Sequence, residues 1–482
     1  MRHRWLHWVF LLLALSLCLV RFTYLWADFP NHSPWMIDQA KFTDEGWWAS
    51  AAVRHFLIGH WQVPGDYNPA AVVPVWPVLL TLVFQFTGVS IIAVRAVSVS
   101  FSIATVALVY FLVRRYDVSR TMASLTALLL AASSFAFAFS RLATLDTVIV
   151  FEWTLLMWVA SYAAPRRIWP VLALGIGIPV MVLTKTTALV LLPAILWLLW
   201  KKSPRVILAV IPIAATTIAT YLFLVLRSRY ADDFHFFFDI NALADVNLGS
   251  TGSFLLQLFR HGIWVDRVLY PAALVTLFLS LLWCRRLWSN PLFTACWIAL
   301  LGNAVYILRR QDDYAPRYFL VMLVPCIITL ILALQDLERR NSSVASFLAA
   351  ILGLAVVLDT LQVFGFLVHR QYQYYSAAKS IQAIVDANPG AHRLLLGTSG
   401  DQLALMVGTP SINDGYSNLD LDKKVRVYQP GWYVGWNDLD QDILNSLSAY
   451  RLDEVANFPV FDREDRNQLK LYRMVPLKEA KP

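Results

Sequence analysis

WVFLLLALSLCLVRFTYLW, residues 8–26, decides the fold class. Its apolar half has the length of a secretory signal, yet no small-residue cleavage site follows. Arg21-Phe22-Thr23-Tyr24-Leu25-Trp26 reads instead as the interfacial end of a helix, so the segment is an uncleaved membrane span. Working outward, long apolar runs recur from Leu6 to about Leu367. The 482-residue chain is 58% hydrophobic and only 15% charged, against roughly a quarter charged in a soluble protein. Most of it is therefore helix in lipid.

Charge sets the topology. Arg2 and Arg4, Arg114-Arg115 with Arg120, Arg166-Arg167, Lys201-Lys202 with Arg205, Arg285-Arg286 and Arg339-Arg340 each separate two apolar segments. Placing these clusters in the cytoplasm pairs the spans around them. The spans read as 6–26, 90–113, 121–139, 147–164, 168–184, 187–200, 206–226, 268–284, 292–308, 318–335 and 345–367, about 11 in all. The N-terminus is then cytoplasmic and the tail extracytoplasmic. Val72–Thr87 carries Pro74 and Pro77 and is short for a crossing; it reads as a juxtamembrane or re-entrant piece covered by protein.

The expected organisation is a transmembrane domain over 1–370, with a large first outward loop at 28–91, and a soluble α/β domain over 371–482. In the latter, 393–396, 450–455 and 468–475 read as strands between turns. The other outward loops are 141–146, 184–187, 227–267 and 309–317. The formal charge of +8 does not indicate nucleic acid, because the basic residues are short anchors and not a stripe on a folded surface. Cys18, Cys284, Cys296 and Cys326 lie in or beside apolar segments and form no zinc or disulfide pattern.

Nearly every carboxylate outside the tail faces outward on this topology. Asp44 and Glu45 open the amphipathic stretch Gly46–Leu57. They suit a helix N-terminus, and equally a general base that takes the proton of an attacking hydroxyl. Asp146 stands where a helix re-enters the membrane, with Arg141 in the same turn; it is either a cap or a functional charge. Lys185, in a tight outward hairpin, either snorkels or meets a phosphate. Arg309, Arg310 and Arg317 add guanidinium groups on the same side, against the positive-inside trend, while Asp312 and Asp313 neutralise part of them; an anionic headgroup would account for the excess. His55, His60 and His261 show no metal-ligand spacing, and the aromatic loop 234–240 reads as an interfacial belt. No nucleotide-binding fingerprint occurs.

Several segments carry a resemblance. DEGWWASAAVRHF (44–56), GHWQVP (59–64), FTGVSIIAVRAVS (86–98), FSRLATLDTVIVF (139–151), VLTKTTALVLLP (182–193) and PRYFLVMLVP (316–325) follow in order over roughly residues 5–335. Together they resemble the GT-C integral-membrane glycosyltransferases, in the branch of the protein O-mannosyltransferases and the enzymes that add aminoarabinose or galacturonic acid to lipid A. The resemblance implies a polyprenyl-phosphate sugar donor, a lipid, glycan or protein acceptor, and inverting transfer outside a bacterial inner membrane. It makes Asp44 the first-loop catalytic aspartate and Asp146 the second-loop acidic residue. Lys185 and Arg317, joined by Arg141, become donor-phosphate contacts. Glu45 is the partner of Asp44, and a divalent metal at Glu45 or Asp146 is left open. One departure is plain: where lipid A-modifying relatives carry Lys-Pro-Pro, this chain has AVVPVWP (71–77), so specificity does not carry over. A lipid-sugar flippase would instead place paired charges near mid-membrane in two similar halves, and a non-catalytic scaffold would leave the outward charges without a role.

Overall fold

The structure, a computed structural model, describes residues 4–29, 43–66, 69–164, 166–226, 235, 252–253, 256, 266–282, 285–309, 316–415, 419–461 and 467–477. The readings of Cys284, His261, Arg310, Asp312, Asp313 and the 234–240 loop apart from His235 lie outside the described residues. The helices are α1 (Arg4–Val20), α2 (Asp44–Ile58), α3 (Val75–Thr87), α4 (Ile91–Arg114), α5 (Arg120–Ala132), α6 (Ser134–Ser140), α7 (Leu145–Ala160), α8 (Ile168–Thr184), α9 (Leu192–Lys202) and α10 (Pro204–Leu226). They continue with α11 (Leu269–Leu282), α12 (Pro291–Leu308), α13 (Leu320–Arg340), α14 (Ser342–Val368), α15 (Gln373–Asp386), α16 (Gly400–Val407), α17 (Leu421–Tyr428) and α18 (Gln441–Ser446). The strands are β1 (Leu395–Leu396), β2 (Ser411–Ile412), β3 (Trp432–Trp436), β4 (Tyr450–Pro459) and β5 (Gln468–Pro476).

Two compact units result, neither contiguous in sequence. The first comprises Met1–Leu25, Arg95–Leu224 and Leu243–His369; the second comprises Trp26–Val94, Val225–Ala242 and Arg370–Pro482. The segment after α1 thus folds with the C-terminal segment, whereas the sequence reading places it with the spans.

In the first unit the apolar helices present leucine, valine and phenylalanine outward, as a bilayer requires. Among the described residues five helical stretches are long and apolar enough to cross a membrane, and a bent pair, α5 with α6, makes a sixth. Other segments read as spans are shorter helices, among them α1, α8 and α11. The expected continuous helix over 121–139 is broken at Ser133, where the axis bends by 56°. Ser133 caps the second piece by accepting from the Ala136 N–H at 3.2 Å. The break frees carbonyls at the end of α5, and Arg21, wholly buried, donates to Leu130 O at 2.8 Å and Ala131 O at 3.0 Å and also bonds Ser102. A buried guanidinium thus supplies the donors that lipid cannot.

The second unit is built on a sheet in the order β2-β1-β3-β5-β4. The short strands β2, β1 and β3 are parallel, while β5 runs antiparallel to both β3 and β4. Strands were expected at three of these places; the two-residue β2 and the five-residue aromatic strand β3 were not. Val63 of the first loop shares the sheet's core with Leu396, Ile412, Tyr433 and Met474, which is why loop and tail form one body. In the same unit α3 has 13 residues and a length of about 20 Å, short of the ~30 Å hydrocarbon thickness.

Candidate functional site

Asp44 and Glu45 belong to the second unit; Asp146, Lys185, Arg317 and Arg141 belong to the first.

Asp44 and Glu45 are the first two residues of α2, and both are buried. Thr43, at the N-cap position, makes no side-chain cap bond; its hydroxyl donates to Asp44 Oδ1 at 3.1 Å. The cap comes from the far end of the chain. Gln402 Oε1 accepts from the Gly46 N–H at 2.7 Å, and Gln402 Nε2 donates to Glu45 Oε2 at 3.2 Å. These two bonds together assign the orientation of the amide. The approach is close because residue 46 is glycine: a Cβ there would stand 2.2 Å from the Gln402 backbone nitrogen. The side-chain acceptor for the Gly46 N–H is thus Gln402, while both acids remain in the first turn of the helix.

Beneath this turn, α2 is held by a buried ionic group. Arg54 reaches Asp66 at 2.6 Å and Asp401 at 3.1 Å, and Lys424 reaches Asp66 at 2.8 Å and Asn413 O at 2.5 Å. Ser411 donates to Asp401 at 2.8 Å. Burial works against the Arg54 charge, but Asp401 and Asp66 outweigh it and hold the guanidinium's pKa above its ordinary value. Two cations and two carboxylates balance, the condition under which charges survive inside a protein.

In the first unit Asp146 sits in the opening turn of α7. Lys185 Nζ donates to its Oδ1 at 2.6 Å, and Arg317 Nε lies 3.7 Å from its Oδ2. All three side chains are at most a tenth exposed. Lys185 takes an extended conformation (φ −158°, ψ 122°) that ends α8, and a 3-10 turn, Thr186–Leu191, follows. That turn is pressed against α12: a Cβ on Gly302 would stand 2.5 Å from Val190 O. Arg317 is the second residue of the 3-10 turn Pro316–Phe319. The turn is fixed by Asn303 Nδ2 donating to Tyr318 O at 3.2 Å and by Tyr270 donating to Phe319 O at 2.7 Å. The Tyr318 ring lies under both cations, 5.1 Å from Lys185 Nζ and 5.4 Å from the Arg317 guanidinium carbon. Such cation–π geometry orients a charge without neutralising it.

Arg141 has a different environment. Its guanidinium donates to the carbonyls of Arg21 at 3.1 Å, Thr23 at 2.6 Å and Tyr24 at 2.7 Å, past the C-terminus of α1. It also lies over the rings of Phe137 and Phe366. Orphan carbonyls at a helix end are the usual target of such a side chain, so this cation has a structural reason to be where it is. His55 stacks on Trp61 with ring centroids 4.8 Å apart. Cys18, Cys296 and Cys326 are buried free thiols. Among the described residues no group of three or more His, Cys, Asp or Glu could hold a metal ion.

Several residues were not singled out from sequence. Gln402, 356 residues from Gly46, leaves no local signal. Glu152 does: it is a carboxylate within the apolar run VIVFEWTLLMW, and intramembrane charges mark functional positions. Thr184, next to Lys185, donates to Glu152 Oε1 at 2.8 Å. Adjacent residues at the end of α8 thus bind two carboxylates of α7.

Residues 69–227 match the model of the dolichyl-phosphate-mannose–protein mannosyltransferase family. No curated protein matches the chain in sequence. Solved structures do match in fold. ArnT from Cupriavidus metallidurans in the apo state is 16% identical, with a TM-score of 0.64 over 96% of this chain and 97% of that one. The same protein bound to undecaprenyl phosphate is 14% identical, with a TM-score of 0.59 over 100% of both chains. The archaeal oligosaccharyltransferase AglB from Archaeoglobus fulgidus, in complex with an inhibitory peptide and a dolichol-phosphate, is 11% identical, with a TM-score of 0.55 over 100% of this chain and 75% of that one. Over residues 69–227 the chain is thus similar to that mannosyltransferase family, and its fold, with apolar helices long enough to cross a membrane, is that of the ArnT and AglB structures.

Proposed function

We propose that the chain is an inverting glycosyltransferase that moves a sugar from a polyprenyl-phosphate donor to a lipid, glycan or protein acceptor at the outer face of a bacterial inner membrane. The observation that carries this reading is the convergence of Lys185 and Arg317 on Asp146. An ammonium and a guanidinium brought together at one buried place are groups of the kind that binds phosphate. The similar ArnT and AglB structures hold undecaprenyl phosphate and a dolichol-phosphate, which supports the same donor class here.

The acceptor hydroxyl attacks the anomeric carbon from the face opposite the phosphate. Its proton passes to the Asp44 carboxylate as the new C–O bond forms. The old C–O bond breaks with its electron pair going to the phosphate oxygen, and the polyprenyl phosphate leaves. Lys185 and Arg317 stabilise the charge that grows on that oxygen, an effect magnified in a site partly shielded from water. Asp146 aims the two cations, and Glu45 holds the first turn of α2. A divalent ion fits Asp146 poorly, because Lys185 and Arg317 already occupy its two oxygens.

Asp44→Asn in the full chain tests this. Mass spectrometry of lipids and glycans from a strain lacking the chain, complemented with wild type or variant, should show a sugar modification with wild type alone. Equal amounts of modified product from both, at equal membrane levels, would remove Asp44 from the mechanism.

A further inference from the structure

We infer that Gln402 is a positioning residue for the acidic pair, so that the C-terminal segment sets the geometry of the carboxylates that open α2. The inference rests on the proposed role of Asp44. Thr43 stands where a helix takes its side-chain cap, and its hydroxyl goes to Asp44 instead. The Gly46 N–H, third in the helix and without an intrahelical acceptor, is met by Gln402 Oε1 at 2.7 Å. The other end of the same amide holds Glu45 Oε2 at 3.2 Å. One planar group thereby fixes a backbone N–H and the adjoining carboxylate together.

Gln402 itself is wholly buried. It lies in α16, next to Asp401, which bonds Arg54 of α2 and Ser411 of β2. The amide cannot drift without breaking that ionic group or opening the contact at Gly46, where the two backbones leave no room for a Cβ. A base works only within hydrogen-bond reach of the proton it takes, and small misplacements at a reacting centre cost large factors in rate. What the clasp provides is a fixed first turn for Asp44 and a fixed rotamer for Glu45. The C-terminal segment is therefore a working part of the site and not an appended module.

Two variants of the full chain separate positioning from bulk folding. Gln402→Leu removes both bonds at similar volume. Gln402→Glu keeps an oxygen for Gly46 but sets a second carboxylate against Glu45. Hydrogen exchange over residues 43–50 should rise at least tenfold in Gln402→Leu, with exchange over 468–476 unchanged. The sugar-modified product identified with wild type should fall at least tenfold. In Gln402→Glu, like-charge repulsion should move the acid limb of product formation in isolated membranes to higher pH, which a purely structural contact would not do. Undecaprenyl phosphate, as a probe of the Lys185 group, should bind both variants within twofold of wild type. Unchanged exchange over 43–50 in Gln402→Leu, or an unmoved acid limb in Gln402→Glu while Asp44→Asn abolishes product, overturns the inference and leaves the reading of Asp44 standing. Product that survives Asp44→Asn overturns that reading instead, and exchange over 43–50 then decides whether Gln402 fixes the turn.

Discussion

Lys185 Nζ lies 2.6 Å from Asp146 Oδ1, and the two residues arrive by different routes: one ends α8 in an extended conformation, the other opens α7. The ammonium is therefore placed by two helix ends and not by a flexible stem. If it meets the donor phosphate, Lys185→Ala removes a charge-assisted hydrogen bond worth about 1.5–3 kcal/mol. Affinity for undecaprenyl phosphate should fall roughly 10- to 100-fold, as read by calorimetry on the detergent-solubilised chain. Lys185→Arg should recover part of it, since a guanidinium also pairs with phosphate but with a different reach. Wild-type affinity in Lys185→Ala would exclude Lys185 from the phosphate site.

Arg141 makes a contrasting case. Three main-chain carbonyls accept from its guanidinium and two phenylalanine rings flank it. Arg141→Ala should therefore lower thermal stability by about 1–3 kcal/mol, the cost of leaving buried acceptors unmet, while undecaprenyl phosphate binds within twofold of wild type. A selective loss of binding with stability intact would return Arg141 to the donor-phosphate group.

Gly46 tests the contact between α2 and α16 by size alone. A methyl group there would stand 2.2 Å from Gln402 N and 2.3 Å from Asp401 C, both backbone atoms that cannot rotate away. Helix propensity favours alanine over glycine by about 1 kcal/mol, yet overpacking a tight contact costs roughly 1–3 kcal/mol or more. The steric cost wins. Gly46→Ala should be less stable than wild type, with protease sensitivity appearing first in residues 371–482; a more stable variant would mean that the contact is looser than described.

How far these features could be read beforehand follows from their range along the chain. Apolar runs and basic anchors are local, so a largely helical membrane protein was legible from composition and charge. The order of the motifs carried the family resemblance. The bend at Ser133 was not legible, because its carbonyls are satisfied by Arg21, more than a hundred residues away in sequence. The same holds for the partner of Gly46. The carbonyl partners of Arg141 were not legible either, since they lie more than a hundred residues away in sequence. Strand β3, WYVGW, escaped because five aromatic-rich residues between Pro430-Gly431 and Asn437-Asp438 carry no alternation of apolar and polar side chains.

The buried group of Arg54, Asp66, Asp401 and Lys424 yields the last prediction. Lys424 is fully buried and bonds Asp66 Oδ1 and Asn413 O. Removing one member of a balanced buried group strands its partner, which typically costs about 3–5 kcal/mol, whereas replacing a whole pair with apolar residues of similar size is often neutral. Lys424→Met should therefore destabilise the second unit strongly. The double variant Lys424→Met, Asp66→Leu would recover little, because Arg54 then keeps only Asp401, and Asn413 also loses the carboxylate that accepts its N–H. Urea unfolding followed through the tryptophans of β3 would measure both. A double variant as stable as wild type would show that Asp66 serves Lys424 alone and that Arg54 does not depend on it.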